Sequence, residues 1–240
     1  MGFIDMHSHI LPDIDDGARS MEQTISMLKI AYEEGIRTMV ATSHYYPGRY
    51  EEPAEVLRSR LREVQNVTAD ILPDMELSLG CEIYYSHESI RLLKEGIIPT
   101  IGDTGYVLVE FSPLAEFRYL KSGLQDFILE GYTPIIAHVE RYENVVKDMN
   151  RVLELIDMGV VIQVNAMSIT GEMGRTYQGI TKKLLKNQYV HIVATDTHSE
   201  RSRAPRMKKC YELVSKKYGK EYASELFTDN QLKILSDQYI

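Results

Sequence analysis

Short strand-like runs alternate with longer helical runs along the whole chain, and this alternation limits the folds open to it. Strands are predicted at 3–8, 38–44, 76–84, 106–111, 133–138, 160–165 and 190–195. Several are apolar on both faces, which is typical of buried parallel strands. Helices are predicted at 20–34, 51–72, 114–129, 143–158, 180–186 and 205–226. Repeated strand–helix units predict a parallel sheet with right-handed crossovers.

Seven such units in 240 residues favour a distorted (β/α)7 barrel of the α/β class, formed by one domain over 1–240. An open doubly wound sheet is the alternative. Its nucleotide-binding form is disfavoured, because no glycine-rich phosphate loop follows the first strand. The glycine-containing segment 169–179 is predicted to be a mobile loop.

Composition and charge exclude several classes of protein. The net charge of −8 disfavours binding to nucleic acid. Two cysteines, Cys81 and Cys210, do not make a disulfide framework; a single bridge is the alternative to free thiols in a reducing compartment, which the composition favours. The N-terminal residues lack a signal-peptide pattern, and no apolar run is long enough to span a membrane. A cytoplasmic location without direct membrane insertion is therefore expected.

The first predicted strand carries a pair of histidines, His7 and His9, separated by one residue. Alternate residues of a strand point to the same face. Two neutral imidazoles on one face can hold one metal ion. The pair alone is modest support, because such pairs also occur by chance.

Further metal-ligating residue types fall where other predicted strands end. They are His44, Glu82, Glu110, His138, Asp196 and His198. Functional side chains of barrels gather at the C-terminal ends of the strands, so we expect these residues to form one cluster. Imidazoles with carboxylates favour manganese, iron or zinc over calcium or magnesium, and the number of ligands indicates two or three ions. His191 is predicted to be a core histidine and His87 a surface residue.

Several of these residues also have ordinary structural interpretations. Glu82 and Glu110 could be solvated loop carboxylates, and His138 a core histidine bonded to backbone. Asp13 and Asp15 could bond their own backbone in a turn. Asp16, directly before Gly17, could do the same or point into the site.

Two arginines follow the ligand candidates closely. Arg141 comes three residues after His138, and Arg203 lies in the loop after His198. Arginine is well shaped to grip phosphate oxygens with two parallel donors. The alternatives are surface ion pairs with Glu140 or Glu200. Arg201 lies in the same loop as Arg203, so the sequence leaves open which of the two contacts phosphate.

The full set of motifs resembles the polymerase and histidinol phosphatase (PHP) superfamily. Within it, the likeness is strongest to bacterial manganese-dependent protein tyrosine phosphatases of capsule and exopolysaccharide regulation. The resemblance extends from position 4 to about position 205. The motifs that carry it are Asp5-Met6-His7-Ser8-His9, Asp15-Asp16-Gly17, Ser43-His44, Gly80-Cys81-Glu82, Glu110, His138-Val139-Glu140-Arg141-Tyr142 and Asp196-Thr197-His198.

The resemblance implies a site with three metal ions at the C-terminal ends of the strands, and manganese is the expected metal. One ion is expected on His7, His9, Glu82 and Asp196; a second on Glu82, Glu110 and His138; and the third on Asp16, His44 and His198. Arg141 and Arg203 would contact the substrate phosphate. The resemblance also implies hydrolysis of phosphotyrosine by a metal-bound hydroxide, with the tail of a bacterial tyrosine kinase as the protein substrate.

Three other functions compete with this interpretation. A histidinol-phosphate phosphatase or a general phosphoesterase would use the same metals. A binding module with a structural metal site is the non-enzymatic alternative. A cysteine-dependent phosphatase needs an arginine six residues after its cysteine, but His87 follows Cys81 and Lys216 follows Cys210 at that spacing. No covalent cysteine intermediate is therefore predicted, and the oligomeric state stays open.

Overall fold

A computed structural model describes residues 2–240 of the chain. Within these residues, nine strand segments occupy the seven predicted positions. They are β1 (Phe3–Ser8), β2 (Ile36–Ala41), β3 (His44–Tyr45), β4 (Glu76–Leu79), β5 (Glu82–Tyr84), β6 (Tyr106–Glu110), β7 (Thr133–Ile136), β8 (Val161–Asn165) and β9 (Ile192–Ala194). The predicted strands 38–44 and 76–84 are each divided in two, because both change sheets partway along.

The strands form two parallel sheets that together curl into a distorted half-barrel. One sheet has the order β1-β2-β4 and the other β3-β5-β6-β7-β8-β9. A parallel bridge between Ser8 and Thr197 joins β1 to the segment after β9. The α/β class and the parallel, barrel-like arrangement predicted from the sequence are confirmed.

Helices cover the outside of the sheets. They are α1 (Met21–Glu33), α2 (Ala54–Thr68), α3 (Ser89–Lys94), α4 (Phe117–Leu129), α5 (Glu143–Val146), α6 (Met149–Asp157), α7 (Ala166–Thr170), α8 (Arg175–Lys186), α9 (Lys208–Tyr218), α10 (Lys220–Ser224) and α11 (Asn230–Leu235). Short 3-10 turns lie at Ile101–Asp103 and Val139–Arg141. The N-cap of α1 is Ser20, whose hydroxyl accepts a hydrogen bond from the Gln23 N–H. No helix among the described residues is long and apolar enough to cross a membrane.

Several predicted helix boundaries were wrong for local reasons. The helix predicted at 51–72 starts only after Pro53, which lacks the N–H and restricts the residue before it. The helix predicted at 143–158 is interrupted where Asp148 caps α6 by accepting from the Asn150 N–H at 3.0 Å. The mobile loop predicted at 169–179 is wrong as well. Gly171 ends α7 in a left-handed conformation at φ 87°, and α8 begins directly after Gly174.

An apolar cluster fills the barrel below the C-terminal ends of its strands. It contains Ile4, Met6, Val40, Ile101, Tyr106, Leu108, Ile135, Ala137, Val161, Ile192 and Ile234. Ile234 comes from α11, which closes the N-terminal end of the barrel, and the Ile234 side chain is fully buried. The chain after α11 is held at this end by hydrogen bonds, because Asp237 accepts from the Gly105 N–H at 2.8 Å. The opposite end is left for polar side chains.

Candidate active site

A cleft of about 420 Å³ opens at the C-terminal ends of the strands. Nine of the eleven site residues predicted from the sequence line it: Asp16, His44, Glu82, Glu110, His138, Arg141, Asp196, His198 and Arg203. The other two, His7 and His9, lie beneath its floor and are fully buried. The structure therefore brings all eleven residues together at one end of the barrel.

The deepest group of donors is formed by His7, His9, Glu82 and Asp196. The Nε2 atoms of His7 and His9 lie 3.2 Å apart. Glu82 Oε2 lies 3.0 Å from the first and 3.1 Å from the second. Two imidazole nitrogens and two carboxylates thus face one point, as the arrangement of a single metal ion requires.

Nearer the mouth of the cleft lies a second group, formed by His9, Asp16, His44 and His198. Asp16 Oδ1 lies 3.4 Å from His198 Nε2 and 3.6 Å from His44 Nε2. This grouping contains the three residues that the family resemblance assigns to one ion, and it adds His9.

The third group surrounds the two glutamates. His138 Nε2 lies 3.0 Å from Glu82 Oε1 and 3.4 Å from Glu110 Oε1. On the other side of the glutamates, His44 Nδ1 lies 3.3 Å from Glu82 Oε2 and 3.7 Å from Glu110 Oε2. His44 therefore presents one ring nitrogen to each of the two outer groups, which the sequence did not predict.

The pKa shifts and the unpartnered ring nitrogen in these three groups are those expected of a site that binds cations. Burial, together with the neighbouring charges of Glu82 and Asp196, raises the pKa of Glu110 to about 9. Burial, together with the charge of Arg141, lowers the pKa of His138 to about 4, so its ring is neutral at pH 7. His44 Nδ1 is buried without a hydrogen-bond partner although it faces two carboxylates. Divalent cations would relieve the carboxylate repulsion and use these lone pairs.

Asp15 orients the histidines from behind. Its Oδ2 accepts from His9 Nδ1 at 2.7 Å and from the His44 N–H at 2.8 Å. This contact leaves Nε2 of His9 free to face the cluster, as carboxylate–histidine pairs do in metal sites. Asp15 Oδ1 also accepts from the Gly17 N–H at 2.9 Å, which is the turn role expected from the sequence. Burial opposes ionisation, but the adjacent His9 lowers the pKa of Asp15 below its usual range.

Two amide side chains of β8, Gln163 and Asn165, support the cluster and were missed in the sequence. Gln163 Oε1 accepts from the His138 N–H at 2.6 Å and from His7 Nδ1 at 3.2 Å. Asn165 Nδ2 donates to Asp196 Oδ2 at 2.7 Å. A signal was present, because the two amides alternate with apolar residues in β8 and so share one face.

Two predicted ligands sit on unusual backbone. His138 has φ 32° and Asp196 has φ 54°, in the left-handed region that non-glycine residues rarely adopt. The Asp196 N–H donates to the His7 carbonyl at 2.9 Å, which fixes the conformation. Such backbone conformations at strand ends concentrate at functional sites.

Asp196 also connects both predicted arginines to the cluster. Arg141 Nη2 lies 2.7 Å from its Oδ2, and Arg203 Nη2 lies 2.6 Å from its Oδ1. Neither arginine is in an ion pair with Glu140 or Glu200 in the part of the chain that the structure describes. Arg201 is 89% exposed and does not line the cleft, so Arg203 is the arginine of this loop that borders it.

The rim of the cleft carries aromatic side chains that the sequence analysis did not single out. The rings of Tyr46 and Tyr84 stack at 4.1 Å with an interplanar angle of 4°. Tyr50 stacks on the ring of His44, and Arg49 lies over Tyr50 at 4.9 Å. This side of the cleft is therefore suited to a flat, aromatic group.

The remaining predictions concern residues away from the cluster. His191 Nδ1 accepts from the Ile162 N–H at 2.9 Å, a structural role, and His87 is exposed. Cys81 and Cys210 are free and buried, and burial raises the pKa of both thiols. A thiolate nucleophile is disfavoured at both positions.

Two known proteins are similar in sequence to nearly the whole chain. Tyrosine-protein phosphatase CpsB of Streptococcus pneumoniae is 39% identical over 242 residues, covering 99% of this chain and all of the relative. Tyrosine-protein phosphatase YwqE of Bacillus subtilis is 31% identical, covering 99% of this chain and 93% of the relative.

Two solved structures have a similar fold. A structure from work on YwqE of Bacillus subtilis and CpsB of Streptococcus pneumoniae, described as unique metal-dependent tyrosine phosphatases, superposes with a TM-score of 0.93. It is 29% identical and covers 99% of this chain and 96% of its own. Histidinol phosphate phosphatase of Lactococcus lactis shares the fold at 13% identity and a TM-score of 0.59, covering 91% of this chain and 93% of its own. The family model for capsular polysaccharide synthesis proteins CpsB/CapC matches residues 3–236, and the chain belongs to this family.

Proposed function

We propose that this protein is a metal-dependent protein tyrosine phosphatase that acts in capsular polysaccharide synthesis. The observation that carries the proposal is the convergence of imidazole and carboxylate donors with Arg141 and Arg203 at one cleft. Relatives that match nearly the whole chain bear the name tyrosine-protein phosphatase, which supports the same reaction.

The proposed metal ligands are His7, His9, Asp16, His44, Glu82, Glu110, His138, Asp196 and His198. Three groups of donors support three ions, and manganese is the proposed metal, with iron and zinc suited to the same donors. Such ions supply water activation and Lewis-acid stabilisation of a transferred phosphoryl group.

Arg141 and Arg203 would hold the substrate phosphate. Each gives one Nη2 donor to Asp196, and each is partly exposed to the cleft with its other donors free for a ligand. Because Asp196 fixes both guanidinium groups, they are oriented before the substrate arrives. Charge-assisted hydrogen bonds from two fixed guanidinium groups bind phosphate oxygens strongly.

Tyr46 and Tyr84 support an aryl phosphate as the substrate. Their stacked rings form one wall of the cleft, beside the donors that would hold the phosphate. A phenyl ring buried against such a wall gains apolar contact and favourable ring geometry. Histidinol phosphate is the competing substrate, because the Lactococcus lactis enzyme named for it shares the fold.

The proposed substrate is a phosphotyrosine protein, and the tail of a bacterial tyrosine kinase is the proposed partner. The two free, buried thiols are compatible with a reducing compartment, which supports a cytoplasmic location.

The decisive experiment compares two substrates on protein stripped of metal and then loaded with manganese, iron or zinc. We expect kcat/KM for a phosphotyrosine peptide to exceed that for histidinol phosphate by at least about 100-fold. Metal-stripped protein should be inactive on both substrates. Faster turnover of histidinol phosphate, or full activity after chelation, would contradict the proposal. Alkylation of thiols should leave the rate unchanged.

A further inference from the structure

The charge of this acidic protein is distributed unevenly. The segment 175–220 holds twelve of the 27 lysines and arginines but three of the 35 aspartates and glutamates, giving it a net charge of +9 in a chain of −8. The exposed lysine and arginine side chains of α8 and α9 form most of this excess, and we call them the basic face. Such a segregated charge attracts anionic partners and speeds their association.

Cations of the basic face are mostly free of intramolecular partners. Elsewhere, Lys94 and Lys121 are in salt bridges with Glu130 and Glu154. Among the lysines of α8 and α9 that the structure describes, only Lys209 forms a salt bridge, with Glu172 at 3.4 Å. The free ammonium groups are therefore available to an external ligand.

A groove of about 440 Å³ runs between α8 and α9 and concentrates these charges. Arg175 and Lys182 line one side, and Lys217 lines the other. Leu185, Leu213 and Tyr218 give it an apolar floor. A groove with charged walls and an apolar floor fits an extended polypeptide, whose acidic groups would meet the cations while its aliphatic parts contact the floor.

A second groove leads from the catalytic cleft to the first turns of α8, the helix that carries part of the basic face. It has a volume of about 460 Å³, shares Pro113 and Arg141 with the cleft, and is lined at α8 by Thr176, Tyr177 and Ile180. Leu114, which is 82% exposed, forms part of its edge. A chain bound at the cleft can therefore continue through this groove to the N-terminal end of α8.

From this arrangement we infer that the basic face docks an acidic segment of the phosphotyrosine protein, outside the residues that surround the reacting phosphate. The inference rests on the proposed function. A membrane surface is a less suitable partner for the basic face, because membrane binding needs exposed apolar side chains that enter the bilayer. None of the large exposed apolar side chains among residues 2–240 lies on α8 or α9.

The test uses two phosphotyrosine peptides that differ only in a terminal run of five residues, which is glutamate in one peptide and glutamine in the other. Each peptide is made once with the run at its N-terminal end and once with the run at its C-terminal end. The variant K182Q/K217Q removes one charge from each wall of the groove. Its control, K29Q/K233Q, removes two exposed lysines that lie on other surfaces and form no salt bridge in the described chain. All proteins carry manganese, and phenyl phosphate is the small reference substrate.

We expect K182Q/K217Q to raise KM for the glutamate peptide about fivefold, with kcat and the rate on phenyl phosphate unchanged. The preference of the wild type for the glutamate peptide should disappear as the salt concentration rises from 50 to 300 mM. K29Q/K233Q should behave like the wild type.

Equal KM values for the two peptides, or equal effects of the two double variants, would overturn the inference. The basic face would instead be assigned to membranes by a different set of results. In that case the wild type binds vesicles of anionic phosphatidylglycerol, K182Q/K217Q does not, and the KM values for the two peptides are equal. Failure of the wild type to hydrolyse phenyl phosphate and both peptides would refute the proposed function itself, which is a separate outcome.

Discussion

The two ends of the barrel are built from the same strands but serve different purposes. At the C-terminal ends, imidazoles and carboxylates crowd together, and the buried Nδ1 atoms of His44 and His138 have no hydrogen-bond partner. At the N-terminal ends, the apolar cluster and α11 close the barrel. Strand β9 shows the contrast, since His191 before it bonds to backbone and His198 beyond it faces the cleft. Activity and stability should therefore respond to different residues.

His44→Ala at the C-terminal end should have the largest effect on activity. We expect kcat/KM to fall at least about 1,000-fold, with less metal bound, because this ring faces two of the three donor groups. The free energy of unfolding of the metal-free protein should change by less than about 1 kcal/mol, because His44 Nδ1 has no hydrogen bond to lose. Phosphatase assay, metal analysis and urea denaturation measure the three quantities. Retained activity would remove His44 from the ligands.

Ile234→Ala at the N-terminal end is the opposite experiment. Truncating this fully buried side chain leaves a cavity in the apolar cluster and should lower the free energy of unfolding by about 2–4 kcal/mol. Well below the melting temperature, kcat/KM should stay within about twofold of the wild type, because the cleft lies at the other end. A large loss of activity in the folded variant would show that the two ends are coupled.

Arg141→Ala separates phosphate binding from metal binding within the cleft. Loss of one fixed donor to the phosphate should lower kcat/KM about 100-fold. Metal content should not change, because the arginine contacts the cluster only through Asp196. Arg201→Ala is the matched control, since this side chain is 89% exposed and lies outside the cleft. Loss of metal from Arg141→Ala would instead show that the arginine holds Asp196 in place.

Much of the fold and of the donor set was predictable because both follow short-range patterns. Strand β1 was predicted with its correct bounds. The carboxyl ends of parallel strands meet, so candidate ligands at the ends of separate strands could be placed together without knowing the helices. Helix boundaries were less predictable, since Pro53 and Gly219 interrupt patterns that are otherwise helical.

The supporting residues around the donors were harder to predict because their roles depend on contacts between distant segments. Gln163 contacts His7, which lies 156 positions away in the chain, and no local motif records that contact. Asp15 has a local turn role that hides its hydrogen bond to the His44 N–H, 29 positions away. The dual orientation of His44 depends on the place where the chain changes sheets, which periodicity does not reveal.

The smallest predicted effect concerns pH and the N-terminal end of β9. Burial lowers the pKa of His191 to about 4, and the neutral ring accepts from the Ile162 N–H. The unfolded chain binds this proton near pH 6.5, so stability from His191 is complete above that pH and is lost as the pH falls towards 4. Between pH 7.5 and 5, the wild type should lose about 1–2 kcal/mol more unfolding free energy than His191→Gln.

Urea denaturation of the metal-free proteins at the two pH values measures this difference. Ionisable groups of the cleft are the same in both proteins, so their contribution cancels in the comparison. Equal losses would mean that His191 is solvated enough to take up its proton in the folded state. A loss confined to the wild type would assign part of the acid sensitivity of folding to the N-terminal end of the barrel, separate from the pH dependence of the cleft.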